Sequence, residues 1–372
     1  MAGHFHPAWG HALMRSRRVG VLGAGGFLGS HLVSALLALG EYEIDAVDLT
    51  FAKLETADPR VRRITGRIDQ PGLIGEIVDR CRTVFSLTAL CNPALYNTTP
   101  LEVIDASYTD LLPLVARCTT TGTRLIHFST CEVYGRSALD DSARPMGAMN
   151  EETTGFFLGP VHRERWTYAC AKQLLERVIW AHGHHRGLKF TIVRPFNVIG
   201  PRMDFLPGID GEGVPRVLAS FMNALLRGRD LHVVNGGSQQ RCFIAVQDFT
   251  DAIVRILQRP EACRGEILNI GNPANEITIR ELAESIARVF SALVPGAPPA
   301  RLRDVSGEEF YGPGYDDSQQ RIPDIDKAQT LLSWQPRITI EQMLPSIVSD
   351  YVARYQPLLA SGGPGPLLQP QP

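Results

Sequence analysis

Val19-Gly20-Val21-Leu22-Gly23-Ala24-Gly25-Gly26-Phe27-Leu28-Gly29-Ser30-His31 decides how the chain folds. A short apolar run ends in a glycine-rich turn, and the turn opens a helical pattern. Such a turn lets backbone N–H groups reach a pyrophosphate, whose charge the helix N-terminus favours. The spacing is Gly23-x-x-Gly26-x-x-Gly29 rather than G-x-G-x-x-G, and alone it describes a tight structural turn equally well. Context decides between the two. The turn follows the first strand, and Asp48 ends the second strand 19 residues after Gly29. A carboxylate there accepts from adenosine ribose hydroxyls and repels a 2′-phosphate, which points to NAD rather than NADP.

Outward from that turn, short apolar runs alternate with helical patterns. Val19–Leu22, Glu43–Val47, Thr83–Leu87, Arg124–Phe128 and Lys189–Val193 suit buried parallel strands, and Ser30–Leu39, Leu101–Cys118 and Tyr168–Gly183 suit helices between them. The rhythm predicts an α/β fold, a Rossmann-type doubly wound parallel sheet. From about Pro195 it becomes irregular, as in Leu206-Pro207-Gly208-Ile209-Asp210-Gly211-Glu212-Gly213, and predicts a smaller C-terminal substrate-binding lobe. The expected organisation is a flexible arm over 1–17, an NAD-binding domain over 18–195 to which segments near 240–275 return, a mainly substrate-binding lobe over 196–358, and a disordered tail over 359–372.

The bulk composition narrows the function. The formal net charge is −2, which gives no reason to expect nucleic acid or a membrane surface as partner. No apolar run reaches the length of a spanning helix, and the N-terminus lacks the apolar core of a signal peptide. Seven cysteines without a C-x-x-C pair indicate neither a metal site nor a disulfide framework, and suggest reduced thiols in the cytoplasm.

Two segments carry chemistry. Phe128-Ser129-Thr130-Cys131-Glu132-Val133-Tyr134-Gly135 places a hydroxyl, a thiol and a carboxylate in a row where a strand ends, the edge at which open α/β sheets bind ligands. Arg165-Trp166-Thr167-Tyr168-Ala169-Cys170-Ala171-Lys172 places a phenol and an ammonium one helical turn apart. Free tyrosine titrates near ~10, and a lysine beside it, with the positive nicotinamide nearby, favours the phenolate. An isolated Y-x-x-x-K describes an ordinary amphipathic helix. Downstream of this nucleotide turn and beside Thr130 it describes a base for a sugar hydroxyl.

The turn, the Tyr168/Lys172 pair and Arg194-Pro195-Phe196-Asn197 resemble the extended short-chain dehydrogenase/reductase (SDR) superfamily acting on nucleotide sugars. Thr130-Cys131-Glu132 discriminates within it: sugar 4,6-dehydratases carry Asp where Cys131 stands, and a thiol is a poor acid for a departing hydroxyl. Longer runs, Leu90–Thr98, Arg165–Gln173, Gly200–Gly211, Gly314–Ser318 and Arg321–Asp324, resemble the UDP-apiose/UDP-xylose synthase family of the UDP-glucuronate decarboxylase branch, over about Arg18–Tyr355.

The resemblance implies NAD-dependent oxidation of UDP-glucuronate at C4, loss of carbon dioxide from the β-keto acid, and an enolate held by Tyr168 and Thr130. One branch protonates and reduces the sugar to UDP-xylose. The other breaks C2–C3 by retro-aldol, recloses to a branched five-membered ring and reduces the exposed aldehyde to give UDP-apiose. Glu132 is the expected base for the second branch, and Cys91 and Cys131 flank the sugar, as chemical participants or as packing. Tyr96, Arg165, Asn197, Arg216, Arg241 and Tyr315 match substrate positions, with Arg165 beside the tyrosine to orient the carboxylate. Arg321 matches a proposed proton donor, although an arginine's high pKa favours electrostatic stabilisation.

The cofactor-facing set is Gly23, Gly26, Phe27, Leu28, Gly29, Asp48, Ile68, Leu87 and Ala89, with Tyr168 and Lys172. Two residues depart from the family. His232 stands in place of a lysine near the nucleotide, and Arg67 in place of a polar residue at adenine, where it stacks on the ring or points to solvent. Cys170 is expected to pack behind its helix. The family pairs as homodimers through the helix bearing Tyr168. Competing readings are a decarboxylase that stops at UDP-xylose or a UDP-4-keto-pentose, and a non-catalytic NAD-binding sensor, which would be expected to lack part of the Tyr/Lys/Thr set.

Overall fold

The computed structural model describes residues 17–135, 147–311 and 318–360. Seven strands form the central sheet: β1 (Arg18–Leu22), β2 (Glu43–Asp48), β3 (Val61–Thr65), β4 (Thr83–Ser86), β5 (Arg124–Phe128), β6 (Phe190–Pro195) and β7 (Glu266–Ile270). Their spatial order is β7-β6-β5-β4-β1-β2-β3, and every pairing is parallel. Leu22 stands opposite Val47 and Ser86, Phe128 opposite Val193, and Pro195 opposite Ile270. The carboxyl ends therefore share one edge. The strand order reverses between β1 and β4, and a crevice opens there.

Helices cover both faces, which is why β4 and β5 are buried along their whole length without polar alternation. The longer ones in the first half are α1 (Phe27–Ala38), α2 (Leu73–Arg80), α3 (Pro100–Ser107), α4 (Leu112–Thr121) and α5 (Thr167–Arg186). Later come α6 (Val217–Leu226), α7 (Val246–Gln258), α8 (Ile279–Leu293) and α9 (Ile340–Ala360). One face of the sheet packs on Ile77 and Val78 of α2, Leu114 and Val115 of α4, and Leu175 and Ile179 of α5. The other packs on Leu32 and Leu36 of α1 and Phe249 and Ile253 of α7. This second core continues into the lobe through Leu218, Phe221, Ile286 and Ile347. Each such side chain contributes roughly 1.5–3 kcal/mol when fully buried, so the lobe and the sheet are held as one packed body.

The five expected strands are present, Arg124–Phe128 with both ends as expected and the others with an end displaced by one or two residues. The two edge strands, β3 and β7, were not among them; in β3 the charged Arg62 and Arg63 disguise the pattern. Arg62 is retained there by a two-pronged pair with the buried Asp45, at 3.0 Å on each oxygen. The expected helix over Leu101–Cys118 is two helices, α3 and α4, joined by a 3-10 turn at Thr109–Leu111. Pro113 is the cause: lacking an N–H, it belongs in the first turn of a helix and disrupts an interior. Helix α9 runs to Ala360, two residues into the expected tail; the rest of that tail and the arm before Arg17 lie outside the described residues.

Candidate active site

β5 ends at Phe128, and Thr130 caps a single 3-10 turn, Cys131–Tyr134, its hydroxyl accepting from the Glu132 N–H at 3.1 Å. Next to it, α5 begins one residue before Tyr168, so Tyr168, Lys172 and Glu176 follow one another down one face. Lys172 donates to the Phe128 carbonyl at 3.0 Å. One turn lower, Glu176 grips Arg194 of β6 with two hydrogen bonds of 3.0 and 2.6 Å. Arg194 also donates to the Tyr134 hydroxyl at 2.9 Å and lies 4.8 Å from the centre of that ring. These groups are buried, so α5 is fastened to β5 and β6 at successive turns, and the height of Tyr168 over the strand edge is fixed. Glu176 is a positioning residue that the sequence reading missed. Its signal was the i, i+4, i+8 series Tyr168, Lys172, Glu176 facing a strand arginine.

A cavity of about 330 Å³ opens above this edge, walled by Cys91, Tyr96, Thr130, Cys131, Glu132 and Tyr168. The Tyr96 and Tyr168 rings stack, with centroids 5.2 Å apart. Asn197, Arg216, Arg241 and Arg321 complete the wall from beyond β6 and the lobe. Asn197 takes a positive φ of 32° after β6 and donates to the Cys242 carbonyl at 3.1 Å. Arg241 is held by the Gln240 and Ser318 carbonyls, both at 2.8 Å. Arg216 is held by Asp204 at 3.2 Å. His232 packs edge-on against Phe310 at the same cavity, centroids 6.1 Å apart. Tyr315 lies outside the described residues.

The structure adds the surroundings of these groups. Burial holds the Tyr168 phenol well above its ordinary pKa, and Cys91, Glu132 and Cys131 push the same way, against a hydrogen bond from Thr130. Lys172 is brought down to about 8 by burial, opposed by Cys91 and Glu176. Burial thus favours the neutral form of both groups, the phenol at Tyr168 and the amine at Lys172. Arg165 and Glu132 are partners in the cleft. They form a two-pronged pair at 2.5 and 3.0 Å, with Arg321 3.6 Å from the same carboxylate. Opposite charges in a largely buried cleft pair rather than stand alone, and the Arg165 guanidinium lies 5.6 Å from the centre of the Tyr96 ring. The Cys131 thiol is pushed up by burial, against Arg321 and Arg241, so it rests protonated. Cys170 is exposed rather than packed, because its side of α5 faces away from the sheet.

A second cavity, of about 560 Å³, lies at the strand-order reversal. Gly23 turns there with φ +89°, and a Cβ on Gly29 would stand 2.0 Å from the Gly23 carbonyl oxygen, so both positions demand glycine. Gly26, Phe27 and Leu28 form its floor, and Ile68, Leu87 and Ala89 an apolar wall. The Asp48 carboxylate accepts from Gly25 N–H at 2.8 Å and Leu49 N–H at 2.7 Å. Burial raises its pKa while those bonds oppose the rise. Arg67 pairs with Asp69 at 3.0 Å at the rim of this cavity, with its side chain 65% exposed. Thr88 Oγ1 and Ser129 Oγ are buried without a hydrogen-bond partner among the described residues, and both residues line this cavity. Orphaned hydroxyls beside a glycine cradle and a ribose-height carboxylate fit a dinucleotide, and neither hydroxyl had been singled out from sequence. Cys91, Tyr168 and Arg216 border both cavities, which makes the two one cleft. Among the described residues no cluster of His, Cys, Asp and Glu could hold a metal ion, and no helix is long and apolar enough to cross a membrane.

Comparison with known proteins agrees with this architecture. Residues 19–271 match the model of the NAD dependent epimerase/dehydratase family. The UDP-D-apiose/UDP-D-xylose synthase of Oryza sativa subsp. japonica is 43% identical over 349 residues, 88% of this chain and 87% of that protein. UDP-D-apiose/UDP-D-xylose synthase 1 of Arabidopsis thaliana is 42% identical over 350 residues, 88% of this chain and 90% of that protein. Among solved structures, the PbgP3 protein of Burkholderia pseudomallei superposes with a TM-score of 0.79 at 30% identity, covering 91% of this chain and 97% of that one. A UDP-glucuronic acid 4-epimerase of Bacillus cereus, solved with UDP-glucuronic acid and NAD, shares the fold with a TM-score of 0.74 at 21% identity, covering 91% and 100%. The chain belongs to the NAD dependent epimerase/dehydratase family, as a homologue of the UDP-D-apiose/UDP-D-xylose synthases.

Proposed function

We propose that the chain converts UDP-glucuronate, with NAD, into UDP-apiose and UDP-xylose. The observation that carries this is the meeting of Tyr168, Thr130, Cys131 and Cys91 around one cavity that opens into the dinucleotide cavity, in a homologue of UDP-D-apiose/UDP-D-xylose synthases. NAD⁺, when bound, accepts a hydride from the sugar and later returns it. With that positive charge beside it, Tyr168 would act as the phenolate and take the C4 hydroxyl proton as that carbon gives up its hydride. Thr130 shares the oxygen with Tyr168, and the two hydroxyls stabilise the enolate left by carbon dioxide. Lys172, fixed on the Phe128 carbonyl, supports the phenol from below. The Glu132–Arg165 pair presents a carboxylate of controlled charge to the ring hydroxyls, and Arg216, Arg241 and Arg321 supply positive charge for the diphosphate and carboxylate. The thiols of Cys131 and Cys91 flank the sugar where the ring opens and recloses.

In this reading residues 18–195, joined by segments near 240–275, hold NAD, and the rest of 196–358 mainly holds the UDP-sugar. Helix α5 exposes Leu174 and Trp180, which supports a homodimer through that helix. Seven free cysteines support a reducing, cytoplasmic setting. The test is incubation with UDP-glucuronate and NAD⁺, following carbon dioxide and resolving the sugars by NMR. Both pentoses with carbon dioxide are expected. UDP-xylose or a 4-keto-pentose alone reduces the activity to decarboxylation, and no carbon dioxide leaves a sensor.

A further inference from the structure

The stretch Gly200–Gly211 is among the longer runs that carry the family resemblance, yet of Pro201–Asp204 only Met203 faces the sugar cavity. The other groups are occupied elsewhere. The Pro201 carbonyl lies 2.9 Å from Nε2 of His31, two residues beyond the glycine turn in α1. Arg202 holds a left-handed φ of 61°, which a non-glycine residue keeps only when its surroundings impose it. Its N–H donates to Asp350 of α9 at 2.7 Å, and its guanidinium to the Lys53 carbonyl at 2.7 Å. Lys53 belongs to the loop after Asp48, and its buried ammonium returns a bond of 3.3 Å to the Asp204 carbonyl. Arg354 closes the ring, bonding Asp350 at 3.0 Å and Glu55 of that loop at 2.7 Å. At the far end, the Asp204 carboxylate accepts from Arg216 N–H at 2.9 Å and Nε at 3.2 Å, and Met203 gives its carbonyl to the same guanidinium at 2.9 Å.

We propose that Pro201–Asp204 is a strap coupling the two cavities, with Arg202 and Asp204 as positioning residues. One end is tied to the elements that cradle the dinucleotide, α1 and the loop after Asp48. The other end aims Arg216, which borders both cavities. A dinucleotide that orders the first two elements fixes the strap and hence Arg216, so the sugar nucleotide binds more tightly to the cofactor-loaded protein. Linkage makes the effect reciprocal. The inference rests on the assignment of the two cavities to NAD and UDP-sugar.

The experiment is calorimetric titration of the full chain with UDP, with and without saturating NAD⁺. Wild type is expected to bind UDP at least about fivefold more tightly with NAD⁺. In Arg202→Ala that ratio falls to within about twofold of unity, KM for UDP-glucuronate rises by the lost factor, and kcat at saturation stays within about twofold. Asp350→Asn, which keeps the side-chain shape and weakens the hold on Arg202, gives the same loss of ratio and carries the test should Arg202→Ala not fold. A merely structural role would lower stability and leave the ratio intact. An unchanged ratio in a folded variant, or a wild-type ratio of one with both ligands bound, overturns the strap alone. Failure of wild type to bind either ligand overturns the cavity assignment, and the strap with it.

Discussion

In the cofactor half of the cleft the glycine turn, the start of α1 and the β2 carboxylate all fall within one stretch, Gly23–Asp48, and the apolar wall and two hydroxyls come from the ends of later strands. In the sugar half the polar groups are long side chains drawn from distant segments, and several are tied to a neighbour: Glu132 to Arg165, Arg216 to Asp204, Arg241 to Ser318. The first half is set by local backbone geometry and has little to rearrange. The second is a network of mutually compensated charges, so substituting one member changes the state of its partners.

That contrast can be broken at either half. The largest effect belongs to the sugar half: Tyr168→Phe is expected to slow carbon dioxide release by about 10³-fold or more. Its NAD⁺ affinity, measured by fluorescence titration, stays within about twofold of wild type, and parallel losses of both would erase the distinction between the halves. Next is Glu176→Ala. It leaves Arg194 as a buried unpaired cation and should remove about 3–5 kcal/mol of stability in a urea melt; a loss below about 1 kcal/mol would mean that α5 is held by apolar packing alone. In the cofactor half, Asp48→Asn is expected to weaken NAD⁺ by about tenfold while UDP binding is unchanged, because the carboxylate and not the surrounding chain supplies that recognition. The smallest effect is a pH dependence. The Lys172 pKa is about 8 in the fold against roughly 10.4 in an unfolded chain. Between those values the unfolded state binds more protons, so this residue's contribution to unfolding free energy rises with pH, by about 1 kcal/mol from pH 8 to 9. Lys172→Met should flatten the slope of stability across that window, and an identical slope would show that the ammonium is solvated.

The two halves also differ in how legible they were. The glycine turn, Asp48 and the five interior strands could be read directly, because a buried parallel strand is a continuous apolar run and a nucleotide turn is a local pattern. The edge strand β3 was hidden because its outward charges break that run. In the site, every cofactor-facing and sugar-facing residue proposed from sequence and described by the structure lines the cleft. What could not be read were the pairings. Nothing local in Thr130-Cys131-Glu132 says that its carboxylate meets Arg165, 33 residues away, and nothing in Tyr168/Lys172 reveals how deeply both are buried. Burial decides the pKa of a group, and burial is a property of the assembled fold. Thr88 and Ser129 escaped notice for the same reason: a hydroxyl in a strand-end loop becomes informative only when it is found buried without a partner.

The central claim is that this cleft removes carbon dioxide from UDP-glucuronate and then contracts the ring. The most direct measurement follows UDP-glucuronate labelled with ¹³C at C3 through turnover with NAD⁺. If C2–C3 breaks and the ring recloses without C3, the label appears in the exocyclic hydroxymethyl carbon of UDP-apiose, alongside UDP-xylose labelled within its ring. A label found only in the ring of UDP-xylose would contradict the account.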